Sequence, residues 1–140
     1  MIYKHVVITG STRGIGLGLA VEFLKRGCAV TLSGRTQAGI DAAVLELSSA
    51  YDPKMIFGFP CNVASSENVQ TLWNRAEEAL GTIAIWINNA GVGQSWACLH
   101  EIDEDEVGRI VDTNIIGAIN GFRVAVRGML NNGSGQIYSM

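Results

Sequence analysis

Apolar positions in this chain alternate between short unbroken runs and stripes of four-residue spacing, the marks of strands and helices taken in turn. The run His5-Val6-Val7-Ile8-Thr9 predicts a buried strand. Behind it Ile15, Leu19 and Phe23 recur at four-residue steps with Ala20 and Leu24 beside them, one helical stripe that Gly27 ends. Residues 29–33 form a second short apolar run, and residues 34–36 the turn after it. Ile40, Ala43, Val44 and Leu47 predict a second helix, and residues 55–59 a third strand stopped by Pro60. Val69, Leu72, Trp73, Ala76 and Leu80 predict a third helix, capped by Ser65 or Ser66 and closed by Gly81. Residues 82–87 are almost continuously apolar, as in a strand covered on both faces.

The acidic run Asp103-Glu104-Asp105-Glu106 reads as a capping box rather than a patch, with Asp103 as cap and Glu106 three residues on. The long helix it opens carries Val107, Ile110, Val111, Ile115, Ala118, Ile119, Phe122 and Val126 on one broad face. Residues 131–135 are the only loop-like cluster, and residues 136–140 begin a further strand. Alternating strands and helices, joined by right-handed crossovers, predict an α/β fold. It is a doubly wound parallel sheet with helices on both faces, a single domain over residues 1–140 that stops after the start of its fifth strand.

The glycine turn carries the first chemistry. Gly10, Gly14 and Gly16 stand between the first strand and the first helix, where unpaired N–H groups and the positive end of the helix dipole meet. A pyrophosphate fits there only where no side chain blocks the backbone, which makes this turn a dinucleotide-site candidate of Rossmann type. Arg35 follows the second strand, at the turn that faces the adenine ribose in such folds. An acid there bonds a free 2′-hydroxyl, whereas arginine suits a 2′-phosphate, and Arg13 adds a second positive charge. The pair predicts NADP (NADPH) in preference to NADH. Asn88-Asn89-Ala90-Gly91 follows the fourth strand at the sheet end where ligands bind, and equally suits an ordinary turn. Asn114 interrupts the apolar series of the long helix and predicts a buried amide, serving either the core or water and catalytic groups near the cofactor.

Composition narrows the field. The 140 residues are 48% hydrophobic and 16% charged with a net charge of -3, and the isoelectric point is near 5.3. A nucleic-acid partner and a basic membrane patch are therefore not expected. No apolar run is long enough to span a bilayer, and no leader precedes the first strand, so neither a membrane span nor secretion is expected. Cys28, Cys61 and Cys98 are widely spaced and predict small buried hydrophobes in a reducing compartment. His5 and His100 are too few and too far apart for a metal site, so none is expected. Trp73, Trp86 and Trp96 read as core or pocket wall.

In these residues the chain resembles the short-chain dehydrogenase/reductase family. Thr9-Gly10-Ser11-Thr12-Arg13-Gly14-Ile15-Gly16 is similar to the family's T-G-x-x-x-G-x-G, and Asn88-Asn89-Ala90-Gly91 to its N-N-A-G. Asn114 falls on the family's helix asparagine, one of four residues at the catalytic site. The resemblance implies cofactor contacts from Gly10, Ser11, Thr12, Arg13, Gly14, Ile15, Gly16, Asn89, Ala90 and Gly91. It also implies that Asn62 and Val63 contact adenine, although the family usually has Asp-Val there. Residues 83–91 and 135–140 are further similar to the chlorophyll b reductase branch, which implies a plastid in place of the cytoplasm otherwise expected.

One departure qualifies the match. The family's general acid is a tyrosine followed four residues later by a lysine. Here Val7 follows Tyr3 at that spacing, Met55 follows Tyr51, and the sequence ends soon after Tyr138, while the lysines are Lys4, Lys25 and Lys54. Ser139 lies slightly before the family's serine position. The resemblance thus implies the cofactor half of a longer NADPH-dependent oxidoreductase. The parent would act on a carbonyl or hydroxyl group of a small-molecule substrate and pair with copies of itself through the long helix, while the 140 residues alone would be inactive and prone to associate. The alternative is a nucleotide-binding or regulatory module without turnover.

Overall fold

The structure, a computed structural model, describes residues 4–140. Tyr3, one of the tyrosines considered above, lies outside the described residues. Five strands, β1 (His5–Ile8), β2 (Ala29–Gly34), β3 (Ile56–Pro60), β4 (Ile83–Asn88) and β5 (Gln136–Ser139), form one sheet in the order β3-β2-β1-β4-β5. Every pairing is parallel. Helices α1 (Gly14–Lys25), α2 (Gln37–Ser48), α3 (Ser66–Leu80), α4 (Glu104–Val111) and α5 (Gly117–Asn132) make the connections, and a wide π-turn over Asp112–Ile116 joins α4 to α5. The Rossmann-type sheet is therefore present, with Pro60 tolerated because it ends the edge strand β3.

The central strand shows why the sheet is covered twice. Val6 and Ile8 point to one side, into a core with Ala20 and Leu24 of α1 and Ala43 and Leu47 of α2. Val7 points to the other, with Trp73 of α3, Trp86, and Val124 and Met129 of α5. The chain runs outward from β1 to β3, then returns to the far side of β1 with β4. That reversal opens a crevice beyond the carboxyl ends of β1 and β4, the place where open parallel sheets take ligands.

Several expectations need correction. The inward residues of α1 are Gly16, Ala20 and Leu24, one step round from the predicted stripe, and Ile15 is 68% exposed. Gly16 sets that rotation: a Cβ there would lie 2.5 Å from Asn89 Nδ2 and 2.8 Å from Ser11 Cα, so its bare face must turn inward. The long helix is broken by the π-turn, and Val107, Val111, Ile115, Ile119, Phe122 and Val126 of its predicted face are exposed. The buried face is Gly117, Asn120, Gly121, Val124, Ala125 and Met129, because glycines let α5 approach Asn88 and Trp73 closely. Accordingly the buried amide is Asn120, not Asn114, which is exposed. Helix α5 runs on through Asn132, and the longest irregular connection is residues 89–103, interrupted by one 3-10 turn over Leu99–Glu101. Of the cysteines only Cys61 is buried. Trp73 and Trp86 stack at 5.8 Å in the core, while Trp96 is fully exposed.

His5 adds a titratable group to the core. Its Nδ1 lies 2.8 Å from the Gly81 carbonyl, which can only accept, so Nδ1 carries the proton and Nε2 accepts from the Thr31 hydroxyl at 2.8 Å. Burial lowers its pKa below the ordinary 6.5, against smaller opposing effects of the Gly81 carbonyl and the Glu77 charge. Below that ordinary value the unfolded chain binds a proton that the folded chain refuses, so stability is full above it and falls as the pH falls. Urea unfolding between pH 7.5 and 5 is expected to show His5 contributing a loss of up to about 1.4 kcal/mol per pH unit below 6.5, absent in His5→Gln.

Candidate functional site

The glycine turn is fixed by the end of β4. Asn89 Nδ2 donates to the carbonyls of Thr9 at 3.0 Å and Gly10 at 2.9 Å. In return the Thr9 hydroxyl oxygen accepts from the backbone N–H of Asn89 at 3.0 Å and of Ala90 at 3.1 Å. Gly10 adopts φ +62°, and a Cβ there would stand 2.6 Å from Ala90 Cα. Two segments eighty residues apart are thus laced into one rigid floor. Gly14 differs: it also has positive φ, at +60°, but nothing stands within 4 Å of where its Cβ would be. That space is open for a ligand.

Caps tell the same story. Thr36, Ser65 and Asp103 each accept a backbone N–H at the starts of α2, α3 and α4. Helix α1 has no side-chain cap and no acid in its first turn. Its leading N–H groups and the positive end of its dipole face a cleft of about 540 Å³, an arrangement suited to an anion.

Most of the sequence candidates meet in that cleft. Its lining includes Gly10, Thr12, Arg13, Gly14, Ile15, Gly16, Arg35, Asn62, Val63, Asn89, Ala90 and Gly91. Ser11 is the exception. It is fully buried, its hydroxyl donating to the Ile8 carbonyl at 2.6 Å and accepting from Ser33 N–H at 3.0 Å, so it ties β1 to β2 beneath the cleft. Arg13 and Arg35 are exposed at the rim, and neither forms an ion pair among the described residues. At Gly34 a Cβ would lie 2.7 Å from Thr12 Cγ2, so an acid on that residue would have to displace Thr12. Asn62 Oδ1 accepts from Ala64 N–H at 3.1 Å, which shapes the turn after β3. Burial pushes the Cys61 thiol up to about 12, making it a neutral, unreactive part of the wall.

Asn114 borders a second, smaller cavity of about 290 Å³ that shares Asn89 to Val92 with the cleft and reaches Ser139 and Met140. Its amide is engaged at both ends, Nδ2 donating to the Val92 carbonyl and Oδ1 accepting from Val92 N–H, each at 2.8 Å. Asn88 serves the sheet: its Oδ1 accepts from Trp86 Nε1 at 2.8 Å. One further residue had no sequence signal, and another had a different one. Asn120 donates to the Val63 carbonyl at 2.9 Å and so fixes the cleft wall to α5. Glu106, read as a capping-box partner, turns instead to Ser95. No group of three or more potential metal ligands and no helix long and apolar enough to cross a membrane occurs among the described residues.

Comparison with known proteins places the whole arrangement. The family model for short chain dehydrogenases matches residues 4–140. The chain is 38% identical to a probable chloroplastic chlorophyll(ide) b reductase of Arabidopsis thaliana, over 98% of this chain and 31% of that protein. Its fold matches a short chain dehydrogenase/reductase from Burkholderia phymatum, solved in complex with NAD. There the TM-score is 0.89 and the identity 27%, over 98% of this chain and 48% of the other. ElxO, solved with NADP bound, matches at a TM-score of 0.88 and 28% identity, over 98% of this chain and 54% of that one. The chain thus spans about half the length of those solved structures, and less than a third of the plant protein.

Proposed function

This chain belongs to the short chain dehydrogenase family, and from that membership we propose that the protein carrying it is an NADPH-dependent oxidoreductase acting on a carbonyl or hydroxyl carbon. Residues 1–140 form its cofactor-binding domain, and a further segment supplies the tyrosine and lysine. The observation that carries this reading is the uncapped start of α1, with open Gly14 before it and Arg13 and Arg35 at the rim of one cleft. The backbone N–H groups of the first turn would hold the pyrophosphate, and the two guanidinium groups a 2′-phosphate. Asn62 and Val63 would border the adenine, and Ala90 and Gly91 the nicotinamide end. When bound, NADPH supplies the hydride. The chain's own part is to orient that cofactor and, through Asn114, to hold the Val92 backbone beside it.

Likeness to a chlorophyll(ide) b reductase favours chlorophyllide b as the first substrate to test, and a plastid as the place of action. The exposed apolar stripe of α4 and α5 suits pairing with a second copy. The test is fluorescence titration of the full-length protein with NADPH and NADH, followed by NADPH oxidation in the presence of chlorophyllide b. NADPH is expected to bind at least about tenfold more tightly, the worth of one charge-assisted contact. Equal binding would remove the NADPH preference. Tight binding with no turnover of any carbonyl substrate would favour a nucleotide-binding module.

A further inference from the structure

The loop that leaves β4 across the mouth of the smaller cavity is held from one side by two side chains. Asn114 grips Val92 through both its backbone groups. Three residues along the loop, Glu106 takes the Ser95 backbone N–H on one carboxylate oxygen and the Ser95 hydroxyl on the other, the latter at 3.0 Å. Packing does not hold this stretch: Gly93, Gln94, Ser95 and Trp96 are all exposed. An α-helix turns about 100° per residue, so residues eight apart diverge by about 80°. The wider π-turn over Asp112–Ile116 winds more slowly and brings Asn114 back toward the side that Glu106 faces.

Resting on the proposed oxidoreductase reading, we propose that Glu106 is a positioning residue: acting through Ser95, it fixes residues 92–95 as a wall of the cavity beside Asn114 and thereby sets the affinity for substrate. Val92 and Gly93 line that cavity. With Glu106 removed, the loop beyond Val92 is tethered at one point only. Glu106 also stands in the first turn of α4, where any carboxylate favours the helix dipole. Glutamine separates the two roles, because it lacks the charge but keeps an acceptor for the Ser95 N–H and a group able to meet the hydroxyl.

The experiment compares the full-length wild type, Glu106→Ala and Glu106→Gln by amide hydrogen exchange and steady-state kinetics with NADPH and chlorophyllide b. Alanine is expected to speed exchange over residues 92–98 by about tenfold or more, and glutamine by less than about threefold, with the sheet unchanged in both. Alanine should raise the KM for chlorophyllide b by about five- to twentyfold, while kcat and the NADPH Kd stay within about threefold. Unchanged exchange in the alanine variant, glutamine behaving as alanine, or an unchanged KM would each overturn the assignment. A wild type that does not reduce chlorophyllide b counts against the substrate reading, and the exchange comparison then decides the clamp alone.

Discussion

Arg35→Glu is expected to reverse the proposed preference for NADPH over NADH. The arginine stands exposed at the cleft rim, two residues beyond Ser33 and free of any ion pair among the described residues. Such a guanidinium can give its full fork to a 2′-phosphate. Charge-assisted hydrogen bonds of this kind are worth roughly 1.5–3 kcal/mol each. Losing one or two of them, about 1.5–6 kcal/mol, should weaken NADPH by about 10- to 10,000-fold. A glutamate repels the phosphate as well, yet it can accept from the free 2′-hydroxyl of NADH. NADH affinity should therefore hold or rise slightly. Titration of both cofactors against the variant and wild type checks this, and a parallel loss for the two would show that Arg35 serves the fold rather than the phosphate. Thr12 explains why the substitution belongs at Arg35, since its methyl group occupies the space a side chain on Gly34 would need.

Asn89→Asp should have the largest effect on stability. The Asn89 amide nitrogen donates to the Thr9 and Gly10 carbonyls. Aspartate has almost the same shape, but turns a charged oxygen toward two carbonyl oxygens about 3 Å away. Two hydrogen bonds become two repulsions, at a cost of about 2–4 kcal/mol. The urea midpoint should drop by about 1–2 M at the slopes usual for small domains. Asn89→Ala loses the bonds without the repulsion and should fall between the two. NADPH affinity should fall with Asn89→Asp, because the glycine turn loses its support and a negative charge enters beside the proposed pyrophosphate position. If aspartate and alanine behave alike, the amide does not hold the turn.

What the residue order could reveal followed from local rules, and what it hid depended on distant neighbours. Alternation of strands and helices, the caps Ser65 and Asp103, and the meeting of Gly10, Gly14 and Gly16 with residues 89–91 were legible because each follows from spacing or from a motif. The rotation of α1 was not, since the residue that sets it, Gly16, is small because of Asn89, far along the chain. The same holds for the long helix. Its apolar stripe looked inward by composition, while the face that packs is built from glycines chosen to fit Asn88 and Trp73. Asn114 and Asn120 are both amides in a helix, of which the sequence pointed to Asn114 alone, and only tertiary position separates the one that grips Val92 from the one that anchors Val63. Glu106 matched the capping-box spacing and gives its N–H to the Asp103 cap, but its carboxylate goes to Ser95 instead of back to the helix start.

The place of β1 in the middle of the sheet also sets an order in time. Its first neighbour, β2, begins 24 residues after it, but His5 meets Ile83 of β4 only when about 78 residues have followed it. At roughly 5–20 residues per second, a ribosome leaves one flank of His5–Ile8 without its partner for about 4 to 15 seconds. A nascent Val-Val-Ile edge exposed for that long is a binding site for any chaperone that recognises extended apolar segments, and a hazard where none is present. Slowing translation before Ile83 should lengthen that interval and lower the soluble yield.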